Sequence, residues 1–176
     1  MNLYLVRHLP TAWNVEGRLQ GTKDIPIVRP LSSESVEKIE KNKTTLSSID
    51  FDGVFASEKK RAQQTAIEYG FSNFEISALL NEMDFGPYEG KLKKDAMKEM
   101  GQNFLENPFE TVLADHYRNL EKNIRSFLEM HRNKKNILVF GHGSFIRGTK
   151  CIVDHGDLMK INRFPLSNNE IVSLSF

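Results

Sequence analysis

The run Leu3-Tyr4-Leu5-Val6-Arg7-His8 decides how the rest of the chain is arranged. Apolar residues lead directly into an arginine and a histidine, and Pro10 and Thr11 follow. A short apolar run bounded by turn residues reads as a buried strand covered on both faces. Its end then carries a cation and an imidazole to the carboxyl edge of a sheet, where open α/β sheets bind ligands.

Two further runs have the same form. Gly53-Val54-Phe55-Ala56 leads into Ser57, and Ile137-Leu138-Val139-Phe140 leads into Gly141-His142-Gly143. Ser57 reads as the N-cap of a helix from Glu58 to Tyr69, closed by Gly70. A helix over 144–154 follows Gly143. Ser32 or Ser33 caps a helix over 33–48, whose apolar face is Val36, Ile39, Leu46 and Ile49. Leu92, Ala96, Met100 and Phe104 predict a helix over 91–105. Leu113, Tyr117, Leu120, Ile124, Phe127 and His131 predict a longer one over 111–132. Phe74-Glu75-Ile76 reads as a short strand, and the alternating Val172, Leu174 and Phe176 as a final edge strand. Residues 9–31 carry Gly17, Gly21, Pro26 and Pro30 and read as a long loop, of the kind that is usually functional. Strands alternating with helices give an α/β fold, a three-layer sandwich with a mostly parallel central sheet and helices on both faces. No repeat or linker interrupts it, so residues 1–176 read as a single domain.

Composition narrows the function. At 176 residues the chain can bury a real core. A formal charge of +1 carries no bias toward nucleic acid or membrane surfaces, so any anion site must be a local cluster of arginines. Cys151 is the single cysteine and can form no intrachain disulfide; beside Ile152 and Val153 it reads as an ordinary buried thiol. No apolar run approaches the ~20 residues of a membrane span. The first residues lack a basic region followed by a long apolar stretch. A cytoplasmic protein without nucleic-acid or membrane partners is the expectation, and the oligomeric state is not legible.

If the three strands are parallel, their ends converge on one edge. That places His8, His142 and the helix beginning at Ser57 together. Arg61 and Thr65 lie one turn apart on that helix and face the same side. Gly143 lets the backbone come close to a ligand at the next helix N-terminus, where free N–H groups favour an anion. Arginine forks match the oxygens of a phosphate, and a neutral histidine among them can attack phosphorus. A metal is the competing use of paired histidines. The arginines would repel it, and Glu82 is the only carboxylate strongly implicated, so no metal and no cofactor are expected.

Five segments in order complete a pattern. They are Arg7-His8 after a strand; Asn14 with Gly17-Arg18-Leu19-Gln20-Gly21; Ser57 to Ala66; Leu80-Asn81-Glu82-Met83-Asp84-Phe85-Gly86; and Gly141-His142-Gly143. Together they resemble the histidine phosphatase superfamily, which includes cofactor-dependent phosphoglycerate mutases and many phosphomonoesterases. The resemblance spans Leu3 to about Arg147. It implies that His8 is the nucleophile and forms a phosphohistidine. It implies that Arg7, Arg61, His142, Asn14 and the backbone of Gly143 surround the phosphoryl oxygens. Glu82 would protonate the leaving alcohol and later deprotonate water. The segment after Glu82 is short for the family, which implies a small lid insertion over 83–118.

The family usually has glycine after its Arg-His pair, where this chain has Leu9; a tighter pocket mouth or an altered turn is expected. The sequence after Glu82 looks more like the phosphatase branch than the mutase branch. The leading expectation is therefore hydrolysis of a small phosphorylated substrate, with inorganic phosphate as product. The alternatives are mutase-type phosphoryl transfer, a protein phosphohistidine phosphatase, and a catalytically silent phosphate-binding protein. Asn14 reads either as a ligand contact or as a turn residue. Lys91, Lys93 and Lys94 read as a solvated helix start, with recruitment of an acidic substrate as the alternative. Phe85, Tyr88, Phe104 and Phe109 read as core or as pocket lining. His116, His131 and His155 have no such context and read as ordinary helix or loop residues.

Overall fold

Strands that are apolar on both faces need cover on both faces, and the chain supplies it with helices. The computed structural model describes residues 1–175. Five strands form one sheet: β1 (Asn2–Arg7), β2 (Gly53–Ser57), β3 (Glu75–Ser77), β4 (Asn136–Gly141) and β5 (Ile171–Ser175). Their order is β3-β2-β4-β1-β5. β1 and β2 both run parallel to β4, β3 runs parallel to β2, and β5 closes the β1 edge antiparallel. The predicted edge strand is thus present, although Phe176 lies outside the described residues.

Period-two alternation divides the sheet into two cores. Leu3, Leu5, Phe55, Ile137 and Val139 face one side. There they pack beneath α6 (Ala114–Met130) and α7 (Gly143–His155). Val6, Ala56, Leu138 and Phe140 face the other side, with α2 (Ser33–Leu46) and α3 (Lys60–Glu68). The register aligns Arg7 with Gly141, so the two histidine-bearing strand ends stand side by side.

Several boundaries differ from expectation, each for a local reason. Residues 9–31 contain a short helix, α1 (Ala12–Val15), started by a capping box between Thr11 and Asn14. Ser57 is the last residue of β2, not an N-cap, and α3 starts at Lys60 behind Lys59. Ser57 and two distant side chains serve the N–H groups around that start. Ser57 Oγ accepts from Lys59 N, Asn81 Oδ1 from Glu58 N, and Asp24 Oδ1 from Lys60 N. The helix expected over 91–105 is two helices, α4 (Lys93–Met100) and α5 (Asn103–Glu106). Gly101 separates them at φ +66°, a left-handed conformation that ends α4. On α2, Ile39 and Leu46 are buried as expected, but Val36 is exposed and Ser35 takes the inward position.

Candidate active site

The carboxyl end of β1 and the first turns of α3 and α7 open onto one cavity of about 280 Å³. Arg7, His8, Asn14, Arg61, Glu82 and Gly143 all line it. Of the residues expected around the phosphoryl group, His142 alone is absent from its wall; it lies buried beside His8.

His8 is 3% exposed. Its Nδ1 lies 2.7 Å from the carbonyl oxygen of Leu9. A carbonyl only accepts, so Nδ1 carries the ring proton and the lone pair is on Nε2. Burial, reinforced by the Arg61 and Arg7 charges, holds the imidazole well below its usual protonation range. His8 is therefore neutral at pH 7, with an unprotonated Nε2.

His142 sits with its ring centroid 5.3 Å from that of His8. Arg61 Nε donates to its Nδ1 at 3.2 Å, which leaves the proton on Nε2, 2.8 Å from Ser57 Oγ. Ser57 in turn donates to Asn81 Oδ1 at 2.7 Å. Burial first, then Arg61, keeps His142 neutral as well. Both of its nitrogens are committed to protein partners, so its direct effect here is to orient Arg61.

The guanidiniums of Arg7, Arg61, Arg147 and, paired with Glu16, Arg18 line the cavity with His8. Arg7 Nη1 donates to the Leu166 carbonyl at 2.5 Å. Burial and the Arg147 charge lower its pKa to about 10, still fully charged at neutral pH. Arg61 Nη1 and Nη2 donate to the carbonyls of Lys23 and Gly21 at 2.6 and 3.0 Å, tying the long loop to the cavity. The sequence reading gave Arg147 no role. It lies one helical turn after Gly143, and that i,i+4 spacing is the signal that would have found it. A Cβ built on Gly143 would stand 3.5 Å from Arg7 Nε and 3.6 Å from Arg147 Nη1. A methyl group there would make ordinary contacts with both guanidiniums.

Glu82 is the carboxylate on this wall. Its Oε1 accepts from Met83 N and Ser144 N, both at 3.0 Å, and Oε2 has only a longer 3.3 Å contact with Ser144 N. Asn14 holds the turn that starts α1 and also lines the cavity. Its Oδ1 accepts from Thr11 N at 3.1 Å and from Asn168 Nδ2 at 3.3 Å. Asn168, another residue the sequence reading missed, donates to the His8 carbonyl at 2.9 Å and lines the cavity too.

Other expectations are corrected or resolved. Thr65 shares a face with Arg61, but its hydroxyl accepts from Leu9 N at 2.9 Å and donates to the Arg61 carbonyl, so it holds backbone, not ligand. Leu9 does not narrow the pocket mouth. Its side chain is fully buried in the core on the α2–α3 side, with Val6 and Ile27. Of the lid aromatics, Phe85 and Phe104 line the cavity, whereas Tyr88 lies in the core and Phe109 packs at its edge. Lys91 pairs with Glu99, but Lys93 reaches the cavity rim. Among the described residues, no three His, Cys, Asp or Glu side chains group to hold a metal ion, and no helix is long and apolar enough to cross a membrane.

The comparisons agree with this arrangement. Phosphoserine phosphatase 1 of Hydrogenobacter thermophilus is 26% identical over 179 residues, covering 96% of this chain and 83% of that protein. The adenosylcobalamin/alpha-ribazole phosphatase of Escherichia coli is 34% identical over 107 residues, covering 59% of this chain and 51% of the relative. The crystal structure of the alpha-ribazole phosphatase from Shigella flexneri superposes with a TM-score of 0.76 at 24% identity, over 99% of this chain and 90% of that one. The family model of the histidine phosphatase superfamily, branch 1, matches residues 3–176, from the strand that delivers His8 to the closing edge strand, and the chain belongs to that superfamily.

Proposed function

We propose that the protein is a phosphomonoesterase that hydrolyses a small phosphorylated metabolite through a phosphohistidine on His8. One observation carries this reading: a neutral His8, with its proton held on Nδ1 by Leu9 and its Nε2 lone pair left free, beside a cavity walled by Arg7, Arg61 and Arg147. The phosphatase names of the relatives support it.

In the first half-reaction the Nε2 lone pair attacks phosphorus. The ester P–O bond breaks and its electron pair leaves on the alcohol oxygen, which takes a proton from Glu82. In the second, Glu82 accepts a proton from water as the water oxygen attacks phosphorus. The P–N bond breaks, its electrons return to Nε2, and inorganic phosphate departs. The arginines neutralise the charge on the phosphoryl oxygens throughout, a positioning and electrostatic task that needs no metal. Glu82 Oε2, the less engaged oxygen, is the one placed to exchange the proton.

The test compares leaving groups. Wild-type protein should release p-nitrophenol from p-nitrophenyl phosphate in the presence of EDTA. Glu82→Gln should lower turnover of an alkyl phosphate by about 10²–10⁴-fold but that of p-nitrophenyl phosphate far less, because p-nitrophenolate scarcely needs protonation. Equal losses on both would remove Glu82 as the acid, and no turnover of any phosphoester by folded protein would overturn the hydrolase reading.

A further inference from the structure

The Arg61 guanidinium is fully buried, and three acceptors set its direction. One is His142 Nδ1, just beyond the end of β4. The other two are the carbonyls of Gly21 and Lys23, in a loop whose residues 22–24 are exposed. Carbonyls on an exposed loop can aim a buried cation only if something holds the loop in place.

Glu89 holds it. Its Oε1 accepts from Thr22 N at 2.6 Å, and Thr22 Oγ lies 3.0 Å from both carboxylate oxygens. The same carboxylate fills the space beside Gly21. A Cβ built on Gly21 would overlap Oε1 and stand 2.7 Å from Cδ of Glu89. With φ at +56°, close approach and backbone conformation both call for glycine there. Backbone hydrogen bonds lay the two segments side by side, although Thr22 and Glu89 are 67 residues apart in the chain. Gly90 N donates to the Leu19 carbonyl at 2.8 Å, Leu19 N to the Lys91 carbonyl at 3.0 Å, and Lys93 N to the Gly17 carbonyl at 2.8 Å.

We propose that Glu89 is a positioning residue for the reaction: by holding Thr22 and filling the space beside Gly21, it fixes the carbonyls that aim Arg61 at the phosphoryl oxygens. The proposal rests on the phosphate contact given to Arg61 in the phosphomonoesterase reading. Glu89 is not part of the cavity wall, whereas Gly21 and Arg61 are. Its effect on a bound anion therefore passes through the loop and the guanidinium. What it supplies is an acceptor in the right place, and a neutral glutamine supplies the same acceptor to Thr22 N.

A double-mutant cycle on anion binding tests this. Calorimetry gives Kd for inorganic phosphate and for vanadate, without need of turnover, in wild type, Glu89→Ala, Arg61→Ala and the double variant. Glu89→Ala should weaken both anions by about tenfold, the loss expected when a charge-assisted hydrogen bond no longer holds the loop. The same substitution made in Arg61→Ala should change Kd by less than about twofold, because the residue it acts through is already gone. Glu89→Gln should stay within about threefold of wild type. A loss that persists undiminished in the Arg61→Ala background overturns the proposal, since Glu89 would then act by another route or through general stability. Wild-type affinity in Glu89→Ala overturns it too, as does a Glu89→Gln variant that loses as much as alanine. If Glu89→Ala does not fold, Glu89→Asp, one methylene shorter, takes its place in the cycle with the same expectation. Phosphate binding by the wild type without phosphate release from any ester would retire the hydrolase reading, and the cycle would still decide the role of Glu89. Wild-type protein that binds neither anion would overturn both.

Discussion

β1 and β4 lie side by side in parallel, and each ends in a buried histidine, yet the two rings are held in opposite ways. At the end of β1, His8 is anchored by one nitrogen to the next residue's carbonyl, and the other nitrogen stays available. At the end of β4, His142 is anchored by both nitrogens, between Arg61 and Ser57. Both rings are kept neutral by burial and by neighbouring arginines, so charge does not distinguish them. Hydrogen-bond partners do. On the proposed reading, the same residue type on equivalent strand ends serves as a nucleophile where a lone pair is left free, and as a positioning group where both nitrogens are engaged.

Replacing each histidine in turn is the sharpest way to break this comparison. His8→Ala should abolish turnover of p-nitrophenyl phosphate, by about 10⁴-fold or more, since the group that forms the covalent intermediate is gone. His142→Ala should cost less, about 10²-fold, through misorientation of Arg61. A labelled phosphohistidine should still be trapped in His142→Ala and never in His8→Ala. Comparable losses, or a label that survives His8→Ala, would reverse the assignment.

Arg61 links the two histidine environments, and its removal should have the next largest effect. Arg61→Ala should weaken competitive inhibition by phosphate and vanadate by about 10²-fold, consistent with the loss of a buried charged donor. It should also loosen residues 21–23, whose carbonyls it holds, measurable as faster amide exchange there. Unchanged inhibition constants would confine Arg61 to holding the loop.

The smallest effect lies in stability against pH. Both histidines titrate well below 6.5 in the folded protein, whereas in the unfolded chain they protonate near 6.5. As pH falls below about 6.5, the unfolded state binds protons that the folded state refuses. The stabilisation is therefore complete above that pH and is lost on acidification, with a slope of about 1.4 kcal/mol per pH unit for each histidine. Urea unfolding between pH 7.5 and 5.5 should give a steeper loss for the wild type than for His142→Gln. Parallel curves for the two would mean that His142 is not held neutral.

Much of this was legible in residue order. Leu3–His8, Gly53–Ser57 and Ile137–His142 are short apolar runs that stop at polar or glycine-bearing ends, and a parallel sheet brings such ends together. The gathering of Arg7, His8, Arg61 and Gly143 around one cavity follows from that placement, whereas Glu82 was expected there only from the family resemblance. Element ends were less legible where a cap came from far along the chain. The start of α3 depends on Asp24 and Asn81, which no local pattern around Ser57 announces. Leu9 was misread for a related reason: its sequence neighbours belong to the cavity, but its own side chain turns into the α2–α3 core.

By itself, the sequence determined which chemical groups the strands deliver to the sheet edge and which imidazoles, cations and carboxylate accompany them. Alternation and turn residues act over a few positions, and such local rules can be read one residue after another. Only the tertiary structure decided the state of each group. The free nitrogen of His8, the locked nitrogens of His142 and the unpartnered Nε of Arg147 depend on hydrogen-bond partners tens of residues away or on their absence. Burial sets the protonation of these groups in the same way, because desolvation is a property of everything packed around a side chain and not of its position in the chain.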